Sequence, residues 1–137
     1  MRLVDASVWV AIADPSDRFH GAACELSADV ERSLAALDLT LYEVANALGA
    51  KKGKSEEARA LIRLIVRRCP GRIAAVDSDL IDSALGIASE HGLTAYDAAY
   101  VAAARRHGWT LVSADIADLV SKGLAVVPDA ADYPSGR

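Results

Sequence analysis

A chain of 137 residues, 53% of them hydrophobic, is long enough to bury most of its apolar surface in one domain without a disulfide or metal staple. Its 15 basic and 19 acidic residues leave a net charge of −4, which excludes a protein that grips nucleic acid through overall positive charge. No apolar run approaches the roughly eighteen residues of a membrane span. The opening MRLVDASVWVAIADPSD puts an acid at position 5, where a secretory leader is basic, so a soluble, cytoplasmic protein is expected.

Residues 2–5, RLVD, are strand formers ending in an acid, and ASVWVAIAD follows with Val8, Ala11 and Ile12 at helical spacing. DPSD is turn chemistry, after which the pattern of Phe19, Ala22, Ala23, Leu26 and Val30 predicts a helix over about 18–31. A second strand is expected at 34–37. A helix over 41–51 follows with Thr40 as its cap, then another capped by Ser55 and halted by Pro70 and Gly71. RIAAV gives a third strand, SDLIDSALGIASEH a helix ending at Gly92, TAYDAAYVAAARRH a helix ending at Gly108, and WTLVS a fourth strand. A short helix near 116–121, a final strand LAVV and a loose tail over 129–137 complete the chain. Alternating strands and helices imply an α/β layer structure around a mainly parallel sheet, in a single domain over 1–128, because parallel neighbours need crossover connections.

Cys24 and Cys69 are far apart and lack a CxxC or a nearby His at ligand spacing, so two buried thiols are expected. His20, His91 and His107 sit in no recognisable catalytic order and read as structural or solvated. Basic residues cluster at Lys51, Lys52 and Lys54, at Arg63, Arg67, Arg68 and Arg72, and at Arg105 and Arg106, the usual composition of solvated helix faces and helix C-termini.

The acids are more telling. In an open α/β sheet, residues at the carboxyl ends of strands and in the next helix turns converge on one crevice. Asp5 ends the first strand, Glu43 follows the second, Asp97 opens the helix before the fourth and Asp115 closely follows the fourth; Asp118 is a further candidate. Each also has a structural use. Thr40–Glu43 and Thr94–Asp97 have capping-box spacing, Asp115 beside Ser113 can cap the short helix, and Asp5 can act as a simple N-cap. Asp38, Asp77 and Asp79 read as a strand end and as first-turn acids of a helix. Converging carboxylates repel one another and raise one another's pKa unless a cation neutralises them, and hard oxygen ligands suit Mg2+ or Mn2+. Asp5, Glu43, Asp97 and Asp115 carry a formal charge equal to the whole net of −4, so the rest of the chain is neutral.

MRLVDASVWVA, TLYEVANAL, TAYDAAYVAAARRHG and WTLVSADIADL, in this order, resemble the PIN-domain ribonucleases, specifically the VapC toxins of type II toxin–antitoxin systems. The resemblance implies a three-layer α/β/α sandwich and Mg2+- or Mn2+-dependent endoribonuclease activity on structured RNA such as tRNA or rRNA. It implies that Asp5 and Asp97 hold the metal, with Glu43 and Asp115 completing the catalytic acids and Ser7, Ser113 and Asp118 in support. Ser113 stands where many relatives have threonine, and Asp38 where many are apolar or have proline. A cognate VapB-type antitoxin that places a basic side chain in the acidic site, a homodimer, and a heteromeric toxin–antitoxin complex are implied partners. Exposed single-stranded RNA would meet the loops and basic clusters. Two other readings stay open: a housekeeping RNA-processing nuclease of the same fold without an antitoxin, and a catalytically silent binding module that keeps the acids for capping and docking.

Overall fold

A computed structural model of the chain describes residues 1–130. The tail expected over 129–137 therefore lies, from 131 on, outside the described residues. The first strand, β1 (Arg2–Val4), leads into α1 (Ala6–Ile12) and α2 (His20–Ala28); β2 (Leu34–Leu37) leads into α3 (Asp38–Val44) and α4 (Ser55–Arg68). β3 (Ile73–Ala74) is followed by α5 (Ser78–His91) and α6 (Ala95–His107), and β4 (Thr110–Val112) by a last helical turn, Ile116–Val120. The sheet has the order β3-β2-β1-β4, and every pairing is parallel. The chain adds β2 and β3 on one side of β1 and then returns to lay β4 on the other. The topological switch point, where ligand crevices form in such sheets, thus lies between the carboxyl ends of β1 and β4.

Successive strand residues face opposite sides of a sheet. Val4, Leu34, Ala36 and Val112 pack with Val8, Trp9, Leu61 and Ile65 on one face. Leu3, Ala35, Leu37 and Leu111 pack with Leu80, Ala84, Tyr100 and Leu119 on the other. Helices therefore cover both faces, which is why all of LAAL in β2 is buried, as parallel sheets require. Each large side chain withdrawn from water contributes about 1.5–3 kcal/mol. The result is the expected α/β/α sandwich.

Local departures from expectation have physical causes. The second helix begins at His20, because Asp17 accepts from the Phe19 N–H and closes a turn just before it. The third begins at Asp38, so Thr40 lies inside it, and its hydroxyl accepts from the Leu37 N–H at 3.1 Å. The segment Ala45–Ala50 continues as a π-helix. Ser55 is the first residue of α4 and does not cap it; Glu56 and Glu57 in the first turn, and Arg67 and Arg68 in the last, suit the helix dipole instead. The expected LAVV strand is reduced to one parallel bridge, Val112 to Val126. Cys69 is buried, whereas Cys24 is only partly so, lying 3.7 Å from His20 Nε2. Among the described residues no helix is long and apolar enough to cross a membrane.

Two members of the basic clusters face inward. Arg68 donates to the carbonyls of Ser27, Asp29 and Arg32 at 2.6, 2.9 and 3.2 Å, fastening the end of α4 to the loop before β2. Arg72 donates to the Leu34 carbonyl at 2.8 Å. Arg106 pairs with Asp77, while Lys51, Lys52, Lys54, Arg63, Arg67 and Arg105 are exposed.

Candidate metal centre

Asp5 sits where β1 stops, and the stop is its own doing. Its backbone is extended and its carboxylate accepts from the Val8 N–H at 3.4 Å, capping α1 as the sequence allows. Asp5 is only 4% exposed. Ser7 donates to it, and the Ser7 Oγ also accepts from the Ala114 N–H at 2.9 Å, joining the ends of β1 and β4. Ser113, fully buried and 3.4 Å from Ser7, accepts from the Asp115 N–H at 3.0 Å. Burial pushes the Asp5 carboxyl up to about 6, against the hydrogen bonds of Ser113, Ser7 and Val8.

Asp97, Asp115 and Asp118 each offer a carboxylate oxygen, and these atoms all lie within 4.8 Å of one another. Asp97 is positioned by α6, whose N-cap Thr94 accepts from the Asp97 N–H at 3.1 Å. Asp115 caps the last helical turn by accepting from the Asp118 N–H at 3.0 Å, and the same cap brings Asp118 to the cluster. Asp97 is pushed up to about 6, first by burial and then by Asp115, Glu43 and Asp118. The set is all carboxylate, a hard-oxygen donor set of the kind that holds Mg2+ or Mn2+ and excludes a soft-metal site. Asp5 adjoins this group through its repulsion with Asp97 but is not one of the three clustered oxygens.

Glu43 is half-buried in the second turn of α3, with its carboxyl raised by burial. The capping-box reading of Thr40 and Glu43 does not hold, since Thr40 is not an N-cap. Glu43 Oε1 instead accepts from the Tyr100 hydroxyl at 2.7 Å, and Tyr100 Oη lies 2.9 Å from Thr40 Oγ1. In the sequence Thr40 reads as a helix cap, and sequence reasoning passed over Tyr100 because an aromatic on an apolar stripe reads as core. The one available signal was helical spacing: Tyr100 follows Asp97 by three residues. Tyr42 (80% exposed) and Tyr96 (61% exposed) each precede an acid of the site. They line a cleft of about 390 Å3 with Leu39, Glu43 and Asn46.

The profile of the PIN domain family matches residues 2–119. The chain belongs to the PIN-domain family. Within it the chain is of VapC type. Ribonuclease VapC3 of Pyrobaculum aerophilum is 33% identical over 117 residues, covering 82% of this chain and 88% of that protein. Exonuclease VapC9 of the same organism is 34% identical over 117 residues, covering 82% and 79%. In a toxin–antitoxin complex from Klebsiella pneumoniae, one chain has the same fold at a TM-score of 0.68 and 18% identity, covering 93% of this chain and 98% of that one.

Proposed function

We propose that this PIN-domain chain is a Mg2+- or Mn2+-dependent endoribonuclease and the toxin of a type II toxin–antitoxin pair, acting in the cytoplasm on structured RNA such as tRNA or rRNA. The observation that carries the reading is the convergence of Asp97, Asp115 and Asp118 within 4.8 Å at the sheet's switch point. Asp97, Asp115 and Asp118 would hold the ion, with Asp5 beside Asp97 and Glu43 on the opposite helix completing the catalytic acids. A bound divalent ion supplies Lewis-acid stabilisation of charge on the phosphate and lowers the pKa of an attacking water. Ser7 and Ser113 keep the Asp5 carboxylate fixed while it is buried. Tyr42 and Tyr96 present exposed rings on which unpaired bases can stack, and the outward-facing lysines and arginines can meet phosphates.

The same negative cluster attracts an arginine as readily as a metal ion, which supports inhibition by a VapB-type antitoxin with a basic segment. A homodimer belongs to the same reading. The direct test incubates purified protein with end-labelled RNA and Mg2+ or Mn2+, beside EDTA and the Asp97→Asn and Asp5→Asn variants. Internal fragments from the wild type alone, with at least about a hundredfold loss in each variant, are expected. Cleavage that survives chelation or either substitution overturns the metal-nuclease reading, and a ladder of single-nucleotide steps makes the enzyme an exonuclease. Growth arrest on expression, relieved by a neighbouring gene product with a basic C-terminal segment, tests the toxin assignment.

A further inference from the structure

A directed relay of hydroxyl groups ends on Glu43. The Leu37 N–H donates to Thr40 Oγ1 at 3.1 Å, Thr40 Oγ1 and Tyr100 Oη are 2.9 Å apart, and Tyr100 Oη donates to Glu43 Oε1 at 2.7 Å. Chemistry fixes the direction. An ionised carboxylate only accepts, so the single Tyr100 hydrogen is committed to Glu43. Tyr100 Oη must then accept from Thr40, and Thr40, having given its hydrogen, accepts from the backbone. Thr40 is fully buried and Tyr100 is 1% exposed, so water does not compete for these groups, and each bond polarises the next.

The relay crosses three elements. It starts at the last residue of β2, passes through α3 to α6, and returns to α3 one turn beyond where it entered. Tyr100 lies three residues after Asp97 on α6, so the same helix that carries Asp97 also holds the acid of the facing helix. Among the described residues, Oε1 is the Glu43 oxygen that accepts a hydrogen bond. We infer that Thr40 and Tyr100 are positioning residues that fix the Glu43 carboxylate against Asp97 and leave its second oxygen to the centre. The functional consequence rests on the nuclease reading, but the placement does not.

The test uses Tyr100→Phe and Thr40→Val, which remove one hydroxyl each and keep the packing volume, with Thr40→Ser as the conservative control. Mn2+ affinity is measured by calorimetry and RNA cleavage by steady-state kinetics, in the wild-type and Glu43→Gln backgrounds. Loss of a hydrogen bond to a charged group predicts Mn2+ binding and kcat weaker by about tenfold in Tyr100→Phe and Thr40→Val, with KM for RNA within about twofold. Thr40→Ser restores both values. In the Glu43→Gln background Tyr100→Phe adds less than about twofold, because the group it positions is already gone. If Tyr100→Phe does not fold, Thr40→Val breaks the same relay one bond earlier. Wild-type Mn2+ affinity in both variants overturns the inference, as does an equal loss when Glu43 is already Gln. A wild-type chain that binds Mn2+ but leaves RNA intact sinks the nuclease reading alone, and one that binds no Mn2+ sinks both.

Discussion

Asp5 and Asp97 are each held up to about 6, so in the metal-free protein both carboxyls stay protonated at a pH where an unfolded chain would have released the protons. The native state binds more protons than the unfolded state between pH ~4 and ~6. The sign follows. These two groups favour the fold below about pH 4, and that contribution is lost as pH rises through about 6. Asp97→Asn removes the repulsion with Asp115, Glu43 and Asp118. The metal-free variant should therefore melt about 2–6 °C above the wild type at pH 7.5 and level with it near pH 4; thermal scans showing no pH-dependent gap would refute this. Mn2+ affinity should move the opposite way and increase through pH 6, since a ligand must be deprotonated. At this scale Asp5, Asp97 and Asp115 stand next to a strand end or helix start, a short-range signal that the sequence carries, whereas Glu43 lies in the second turn of α3. The Tyr100–Glu43 bond is not legible there, because it joins residues 57 apart and the spacing that sets Tyr100 one turn after Asp97 does not name its partner.

Helix boundaries decide which side chains reach the centre. In α6 the sequence announced both ends: Thr94 accepts from the Asp97 N–H, and Gly108 closes the helix at φ +68, a left-handed conformation that any side chain strains. Nothing lies within 4 Å of a Cβ built on Gly108, so Gly108→Ala isolates the backbone term. It should lower stability by about 1 kcal/mol in denaturant titrations, leaving Mn2+ affinity unchanged; a neutral result would show that the cap contributes nothing. In α3 the sequence misled. Thr40 three residues before Glu43 imitates a capping box, but the helix starts at Asp38, whose carboxylate accepts from its neighbour Leu39 N–H at 2.8 Å and from the Val76 N–H at 3.2 Å. That second bond ties the start of α3 to the segment leading into α5, a tertiary contact that overrides the local pattern. Likewise Arg68 and Arg72 read as surface charge because a basic helix end looks the same whether it meets water or carbonyl groups.

At the scale of the whole molecule, the alternation of elements was enough to imply a layered structure around a mainly parallel sheet, and the resemblance to PIN domains implied helices on both faces, while strand order was not legible, since pairing depends on contacts far apart along the chain. The two cores share one sheet, so the centre sits on a common wall and metal binding should stabilise both. Mn2+ at about 100 times its Kd should add about 2.7 kcal/mol, a clear upward shift in melting temperature that EDTA reverses and Asp97→Asn lacks. No shift would mean that the acids do not take the ion. The switch point also sets an order in time. β1, made before the other strands, is one of the two inner strands, and its register with β4 pairs Arg2 with Thr110. The acids follow the same course, since Asp5 precedes Asp115 by 110 residues and Asp118 by 113. A chain emerging at about 5–20 residues per second therefore carries an incomplete centre until Asp118, 113 residues after Asp5, has been made, and a ribosome building this domain faces no assembled cutter before then.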